Sequence, residues 1–491
     1  MYNLFGNVTD LLIHHAERRP DHPALIDGKR VIDYRTLNSL VWRTATHLRS
    51  QGIKPGDIVG LAMGDTPDHM VGLLSILRCG GVLLPMDCRW TDAEKKNVAS
   101  FFGATATLSD MGPIPGLRTL VVDGVWDAAV AGTKPDAKFP MDPDAPIWLS
   151  LSSGTTGIPK GPMLTHRQVA LRFFCQSVTL GFCQNDTHLL ATPLYFGGGR
   201  GFTMGHLFLG ASVHFSPPPY QPIELVERAA KVRPHSLFLV PTLLRRLLDL
   251  PTPDGPLFPS LKVLISSGSI LHGEERERVK RQLSPNFINL YSSTEGGSVT
   301  TLPPDAGPEK AGSVGRASFM NRFEVVDEHD TPVKTGEVGR IRQTAPWVPA
   351  GFYNNPEETK KYFKDGWYYP GDLGKVDGEG YLYIVGRAKD MIIRGGVNIY
   401  PAEIEDVLNR HAAVHDAAVV PWASREMGEE VAAFVVLHGK ATEAELREHC
   451  RQHLAPYKVP RGVFFIDQLP KSNLGKVLKT ALVERLPKMG A

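Results

Sequence analysis

Residues 149–161 read LSLSSGTTGIPKG. An apolar stretch, Ile147-Trp148-Leu149, leads into small and hydroxyl residues: Ser152, Ser153, Gly154, Thr155, Thr156 and Gly157. A loop of that composition can turn many backbone N–H groups and four hydroxyls toward one anion. Its glycines let the backbone approach closely, and Lys160 adds a compact positive charge. The chemistry such a loop serves is a grip on phosphate. The spacing is not G-x-x-x-x-G-K-[ST], because Gly161 follows Lys160. Alone, the run would also suit a solvated linker. A predicted strand enters it and a predicted helix leaves it from Thr165, and linkers rarely sit inside a βα unit.

Further groups follow along the chain. Ser267-Gly268-Ser269 forms a turn after a predicted strand. Tyr291-Ser292-Ser293-Thr294-Glu295 follows another, and its glutamate is the oxygen ligand that a hard cation prefers. Asp372 lies in Trp367-Tyr368-Tyr369-Pro370-Gly371-Asp372, with Arg387 fifteen residues on. A carboxylate readily accepts two neighbouring hydroxyls. Lys476 ends the run Pro470-Lys471-Ser472-Asn473-Leu474-Gly475-Lys476. Each has an ordinary reading by itself: a βα turn, an aspartate in a glycine-rich bend, a solvated lysine.

As an ordered set, these stretches resemble the superfamily that unites acyl-CoA synthetases, peptide-synthetase adenylation domains and firefly luciferase. The resemblance implies an ATP-dependent enzyme that joins a carboxylic acid to AMP and then passes the acyl group to coenzyme A. It assigns the leaving phosphates to residues 152–157 and Lys160, and the adenine and acid pocket to Ser267, Gly268, Ser269, Tyr291, Ser292 and Ser293. Thr294 would bond the α-phosphate, Glu295 would hold Mg²⁺, and Asp372 and Arg387 would hold the ribose. Lys476 would bridge carboxylate and α-phosphate, a preorganised donor typically worth about 10²–10³ in rate. Lys389 falls on the hinge of the family, and Gly395 and Gly396 on the channel for the pantetheine arm. Tyr195, Phe196, Gly197 and Gly198 fall at the mouth of the acyl pocket, where Gly297 and Gly296 also suggest space. Ser292 and Pro370 depart from the family's usual Gly and Thr, and Phe196 from a common His.

The ring of Phe196 and that of Tyr195 suit an aromatic or a fatty acid. No aspartate stands nearby in sequence to pair an ammonium group, and an unpaired buried ammonium is costly, so an α-amino acid is disfavoured. Loading of a carrier-protein phosphopantetheine is the alternative to coenzyme A. A luciferase-like oxygenase would share every stretch. A non-catalytic acyl-binding protein would be expected to have lost Lys476 or Glu295.

The 491 residues exceed what one core supports, roughly 250–300. Strand and helix signals alternate through the first 140 residues and again over 184–290, as in doubly wound sheets. Strands shorten from 313 onward, and a compact βα pattern closes the chain. The expected architecture is α/β and multi-domain. A large domain of doubly wound sheets spans 1–386 and includes a small β-barrel-like subdomain at about 313–386. A hinge at 387–390 leads to a small mobile α+β lid at 391–491. The net charge of +2, with 42% hydrophobic and 22% charged residues, gives no basic stripe for nucleic acid. Five scattered cysteines without C-x-x-C argue against zinc or a disulfide framework. No signal peptide is evident at the N-terminus, and residues 72–85 are too short and interrupted to span a membrane. A cytoplasmic monomer or homodimer is expected, with a small carboxylic acid as partner.

Overall fold

The computed structural model describes residues 6–136, 139, 142–151, 160–251, 255–471 and 477–487. Residues 152–157 and Lys476 therefore lie outside the described residues.

Two open sheets form the body. One has six strands and the other nine. In the smaller, Ile58–Ala62 sits centrally, parallel to Val82–Pro85 and Ala106–Ser109. In the larger, Pro23–Asp27, Ser212–Phe215, Thr187–Leu190, Ser236–Phe238, Val263–Ser266 and Phe287–Ser293 run parallel in that spatial order. Their near-continuous apolar residues suit strands covered on both faces. Helices Tyr34–Ser50 and Pro67–Arg78 and both sheets contribute to one apolar core, with Leu37, Val41, Leu73, Leu83 and Val213 all 0% exposed.

The phosphate-loop segment departs from the expected βα unit. Strand Pro146–Leu149 pairs antiparallel with Met163–Thr165, and only then does helix His166–Leu180 begin. The loop thus joins two strands of a hairpin. The amide of Ser150 donates to the Pro162 carbonyl at 3.1 Å and extends that pairing. The helix itself starts where a capping box, Thr165 with Gln168, satisfies its free amides.

Strands between Arg322–Val326 and Leu382–Arg387 make a third, six-stranded sheet of antiparallel pairs. The segment just before it, Arg316–Ala317, pairs instead with Gly297–Leu302 of the nine-stranded sheet, so this sheet starts later than 313.

Past residue 390, a five-stranded sheet carries helices Pro401–Asn409, Glu443–His453 and Lys479–Val483. In strand Gly428–Leu437, Val431, Ala433 and Val435 enter one buried cluster, while Ala432, Phe434 and Val436 enter another. This period of two shows a sheet covered on both faces. No helix among the described residues is long and apolar enough to cross a membrane.

Candidate active site

Ser267–Ser269 and Tyr291–Ser293 lie at the carboxyl ends of the neighbouring strands Val263–Ser266 and Phe287–Ser293, where open α/β sheets bind ligands. Ser267 follows the first strand and Ser292 lies near the end of the second, and their hydroxyls bond at 2.8 Å. Gly268 has φ +106°, a backbone conformation that favours glycine. Ser269 follows, half-buried.

Asp372 and Arg387 are direct partners in adjacent antiparallel strands. Arg387 Nε lies 3.0 Å from Asp372 Oδ1, and the Tyr291 hydroxyl donates to Asp372 Oδ2 at 2.5 Å. Burial, with the Asp372 carboxylate beside it, holds the Tyr291 phenol well above its usual range. Burial works against the Arg387 cation, but Asp372, Tyr291 and Asp390 together outweigh it and raise the guanidinium. The result is a buried carboxylate already held by a cation and a hydroxyl.

Thr294 and Glu295 occupy the turn between strands Phe287–Ser293 and Gly297–Leu302. Glu295 is buried, with the Tyr368 phenol close to its carboxylate. Burial first, then Glu295, raises the Tyr368 phenol well above its usual range. Among the described residues no cationic side chain forms an ion pair with Glu295. The Gly296 amide donates to Ser293 Oγ at 2.8 Å and tightens the turn. A buried carboxylate suits a divalent cation, which takes oxygen ligands and often few from protein.

Lys160 Nζ bonds the Glu358 carboxylate and lies 4.5 Å from the centre of the Tyr362 ring. Lys389, in the short turn Ala388–Asp390, is exposed. Partial burial of its stem, with Arg387 and Lys160 near, lowers its ammonium from the usual range. Lys160, Arg387 and Lys389 therefore form one cationic neighbourhood.

Gly395 and Gly396 form the tip of the hairpin Ile392–Arg394 and Val397–Ile399, with φ +54° and +82°. A Cβ on Gly395 would meet Met427 Cε at 2.7 Å, whereas the space at Gly396 is open.

The acyl-pocket residues need correction. Gly197 faces open space, but a Cβ on Gly198 would stand 2.4 Å from Phe238, and one on Gly199 2.3 Å from the Pro193 carbonyl. Gly296 and Gly297 leave no room either: their Cβ positions lie 1.7 Å from Gln343 Nε2 and 2.9 Å from Trp347 Nε1. These four glycines allow close packing and do not open a cavity. Phe196 joins the apolar cluster with Phe182, Phe202, Phe238 and Ile265. Tyr195 does not belong to that cluster; its ring lies under the Arg89 guanidinium, 5.3 Å from the centroid, and Arg89 is bonded to Asp87. Acidic residues absent from the local sequence are thus supplied from elsewhere, since Asp65 also accepts from the Leu194 amide at 2.6 Å. Both carboxylates are engaged.

Sequence reasoning missed Tyr368, Glu358, Gln343, Trp347 and Arg172. Tyr368 stood inside the 367–372 run; the others carry no local signal.

Fold and site define an α/β enzyme of the nucleotide-binding kind. The family model described as AMP-binding enzyme matches residues 12–353, and that described as AMP-binding enzyme C-terminal domain matches 403–476. A feruloyl-CoA synthase of an Amycolatopsis species is 30% identical over 477 residues, covering 95% of this chain and 96% of that protein. A medium/long-chain-fatty-acid–CoA ligase of Mycobacterium tuberculosis is 33% identical over 387 residues, covering 76% of this chain and 67% of that protein. Among solved structures, ATP-bound MatB from Rhodopseudomonas palustris matches with a TM-score of 0.89 at 28% identity, covering 97% of this chain and 98% of that one. The o-succinylbenzoate CoA synthetase from Bacillus subtilis, in complex with its acyl-adenylate intermediate, matches with a TM-score of 0.85 at 25% identity, covering 98% and 99%. The chain belongs to the AMP-binding enzyme family.

Proposed function

We propose that the protein is an ATP-dependent acid–CoA ligase acting on a fatty or aromatic carboxylic acid. The observation that carries this reading is the convergence of Tyr291, Asp372 and Arg387 beside Thr294 and Glu295. It joins a diol-accepting carboxylate to a second buried carboxylate in one place.

In the first half-reaction the acid's carboxylate attacks the α-phosphorus of ATP and pyrophosphate leaves. Positioning and charge neutralisation dominate such a displacement. Asp372 accepts from the ribose hydroxyls, with its carboxylate oriented by Tyr291 and Arg387. Thr294 donates to the α-phosphate. Lys160 exchanges Glu358 for phosphate oxygens, and residues 152–157 hold the leaving group. Lys476 bridges the carboxylate and α-phosphate. Mg²⁺ bound at Glu295 would neutralise phosphate charge. In the second half, the thiol of coenzyme A attacks the acyl carbonyl and AMP departs. The part beyond residue 390 turns about Lys389 between the halves, so that Lys476 withdraws and Gly396 borders the thiol's path. Phe196 offers the acid an apolar face. Relatives named for fatty and for aromatic acids support both substrate classes.

The test is pyrophosphate release with ATP, Mg²⁺ and a panel of straight-chain and aromatic acids, with and without coenzyme A, on wild type and Lys476→Ala. Sustained turnover that needs coenzyme A and one acid class, and is lost in Lys476→Ala, is expected. A stoichiometric burst unaffected by coenzyme A would make a carrier protein the acceptor. No release with any acid would sink the reading.

A further inference from the structure

The turn that carries Thr294 and Glu295 is held from behind by side chains with no part in the chemistry above. Arg172 projects from helix His166–Leu180. Its Nη1 donates to the Thr294 carbonyl at 3.2 Å and its Nη2 donates to the Glu295 carbonyl. Trp347 Nε1 donates to the next carbonyl, Gly296, at 2.9 Å. Three successive carbonyls are thus pinned by two side chains.

The space around the turn is closed as well. The Cβ position of Gly297 lies 3.4 Å from Arg172 Nε, besides its contact with Trp347, and Gln343 fills the Gly296 side. Gln343 and Trp347 are fully buried. With the backbone of 294–296 fixed, only the Glu295 side-chain torsions remain. Arg172 directs both donors to backbone carbonyls.

We propose that Arg172 is a positioning residue for the divalent cation that accompanies the nucleotide: by clamping the Thr294 and Glu295 carbonyls, it fixes the Glu295 carboxylate in the orientation the cation needs. This rests on the ligase reading above. Outer partners of a metal ligand typically change metal affinity about 10–100-fold. Lysine, a point charge on a flexible stem, cannot bridge two carbonyls as the planar fork does.

The experiment titrates Mg²⁺ at saturating ATP on the full chain, comparing wild type, Arg172→Gln, Arg172→Lys and Glu295→Gln. Two readouts are followed: pyrophosphate release, and the rise in Tm on binding. Arg172→Gln is expected to raise the Mg²⁺ midpoint about tenfold in both, with the KM of the acid unchanged, and Arg172→Lys to recover part of the shift. A folded Arg172→Gln with the wild-type midpoint overturns the proposal, as does activity lost at every Mg²⁺ level with an unshifted thermal midpoint. If Arg172→Gln does not fold, Arg172→Lys decides by the same criterion. Shifted Glu295→Gln beside unshifted Arg172 variants overturns the clamp alone. A wild type that turns over no acid, with an unshifted Glu295→Gln, overturns the ligase reading itself.

Discussion

Asp372 and Arg387 show how a sequence spacing becomes one contact. They are fifteen residues apart, and a tight hairpin makes them register partners. An aspartate in a glycine-rich bend has an ordinary reading by itself, and the pair was legible only through the family resemblance that its spacing carries. Tyr291 was legible as part of its run, but its 2.5 Å bond to Asp372 was not, since it joins two sheets. Asp372→Asn keeps the shape and removes the charge. Arg387 is 49% exposed, so water replaces much of the lost ion pair and stability falls by only about 1 kcal/mol. The effect on nucleotide is larger. A hydrogen bond to a charged group contributes about 1.5–3 kcal/mol, so the KM for ATP is expected to rise about 10–100-fold, while Tm moves by a few degrees. Steady-state kinetics and a melting curve on the same preparation check both. Tyr291→Phe removes only the donor, and its KM for ATP should lie between wild type and Asp372→Asn.

At the scale of elements, the sequence located most strands and helices because burial on both faces leaves long apolar runs. Residues 72–85, too short and interrupted to span a membrane, form the end of helix Pro67–Arg78 and the strand Val82–Pro85. The hairpin after Pro146–Leu149 was missed because its second strand, Met163–Thr165, is three residues long, too short to display a period. The glycines after Glu295 were misread for a different cause. A glycine in sequence signals that something comes close, not whether that is substrate or protein. Here it is Gln343 and Trp347, from the next sheet and its following loop. Gly296→Ala would place a methyl 1.7 Å from Gln343 Nε2 and 3.0 Å from Ser293 Oγ. Overpacking of this kind costs about 1–3 kcal/mol and displaces the turn that presents Glu295. A drop in Tm with a loss of pyrophosphate release is expected. Gln343→Ala in the same chain vacates the site and should restore part of the Tm. Independent, additive losses in the double variant would show that the two side chains do not share the space as described.

The whole molecule depends on how the part beyond residue 390 meets the body, and here the sequence was silent. The contact is made by His272, three residues past the Ser267–Ser269 turn. Its Nδ1 lies 3.2 Å from Asp406 Oδ1 and its Nε2 3.3 Å from Asn409 Nδ2, both on helix Pro401–Asn409. Nothing in the local run of residues marks His272 or Asp406, because each gains meaning only from the other. Other charges face the imidazole. Glu275 lies on its own helix, Arg245 approaches from helix Pro241–Leu248, and Arg410 holds the far oxygen of Asp406. Burial lowers the imidazole's proton affinity, but the bond to Asp406 and the charges of Glu275 and Asp406 outweigh it, so the docked His272 titrates above its ordinary value. The sign follows from linkage. A group whose pKa rises on docking takes up a proton as the parts close, so its stabilisation is fully present below the ordinary histidine value near 6.5 and is lost as pH rises through the higher docked value. Docking is therefore expected to weaken as pH rises above the ordinary histidine value of about 6.5, by about 1 kcal/mol for a partly buried pair, roughly fivefold in the docked ratio. Because the docked contact lies three residues from the Ser267–Ser269 turn, isotope exchange between ATP and pyrophosphate should lose about that factor over this range. His272→Gln keeps a hydrogen-bonding side chain without the titration, so its exchange rate should lie near the high-pH wild-type level and lack this dependence. Parallel pH profiles for the two proteins would remove His272 from control of docking and leave it a simple surface contact.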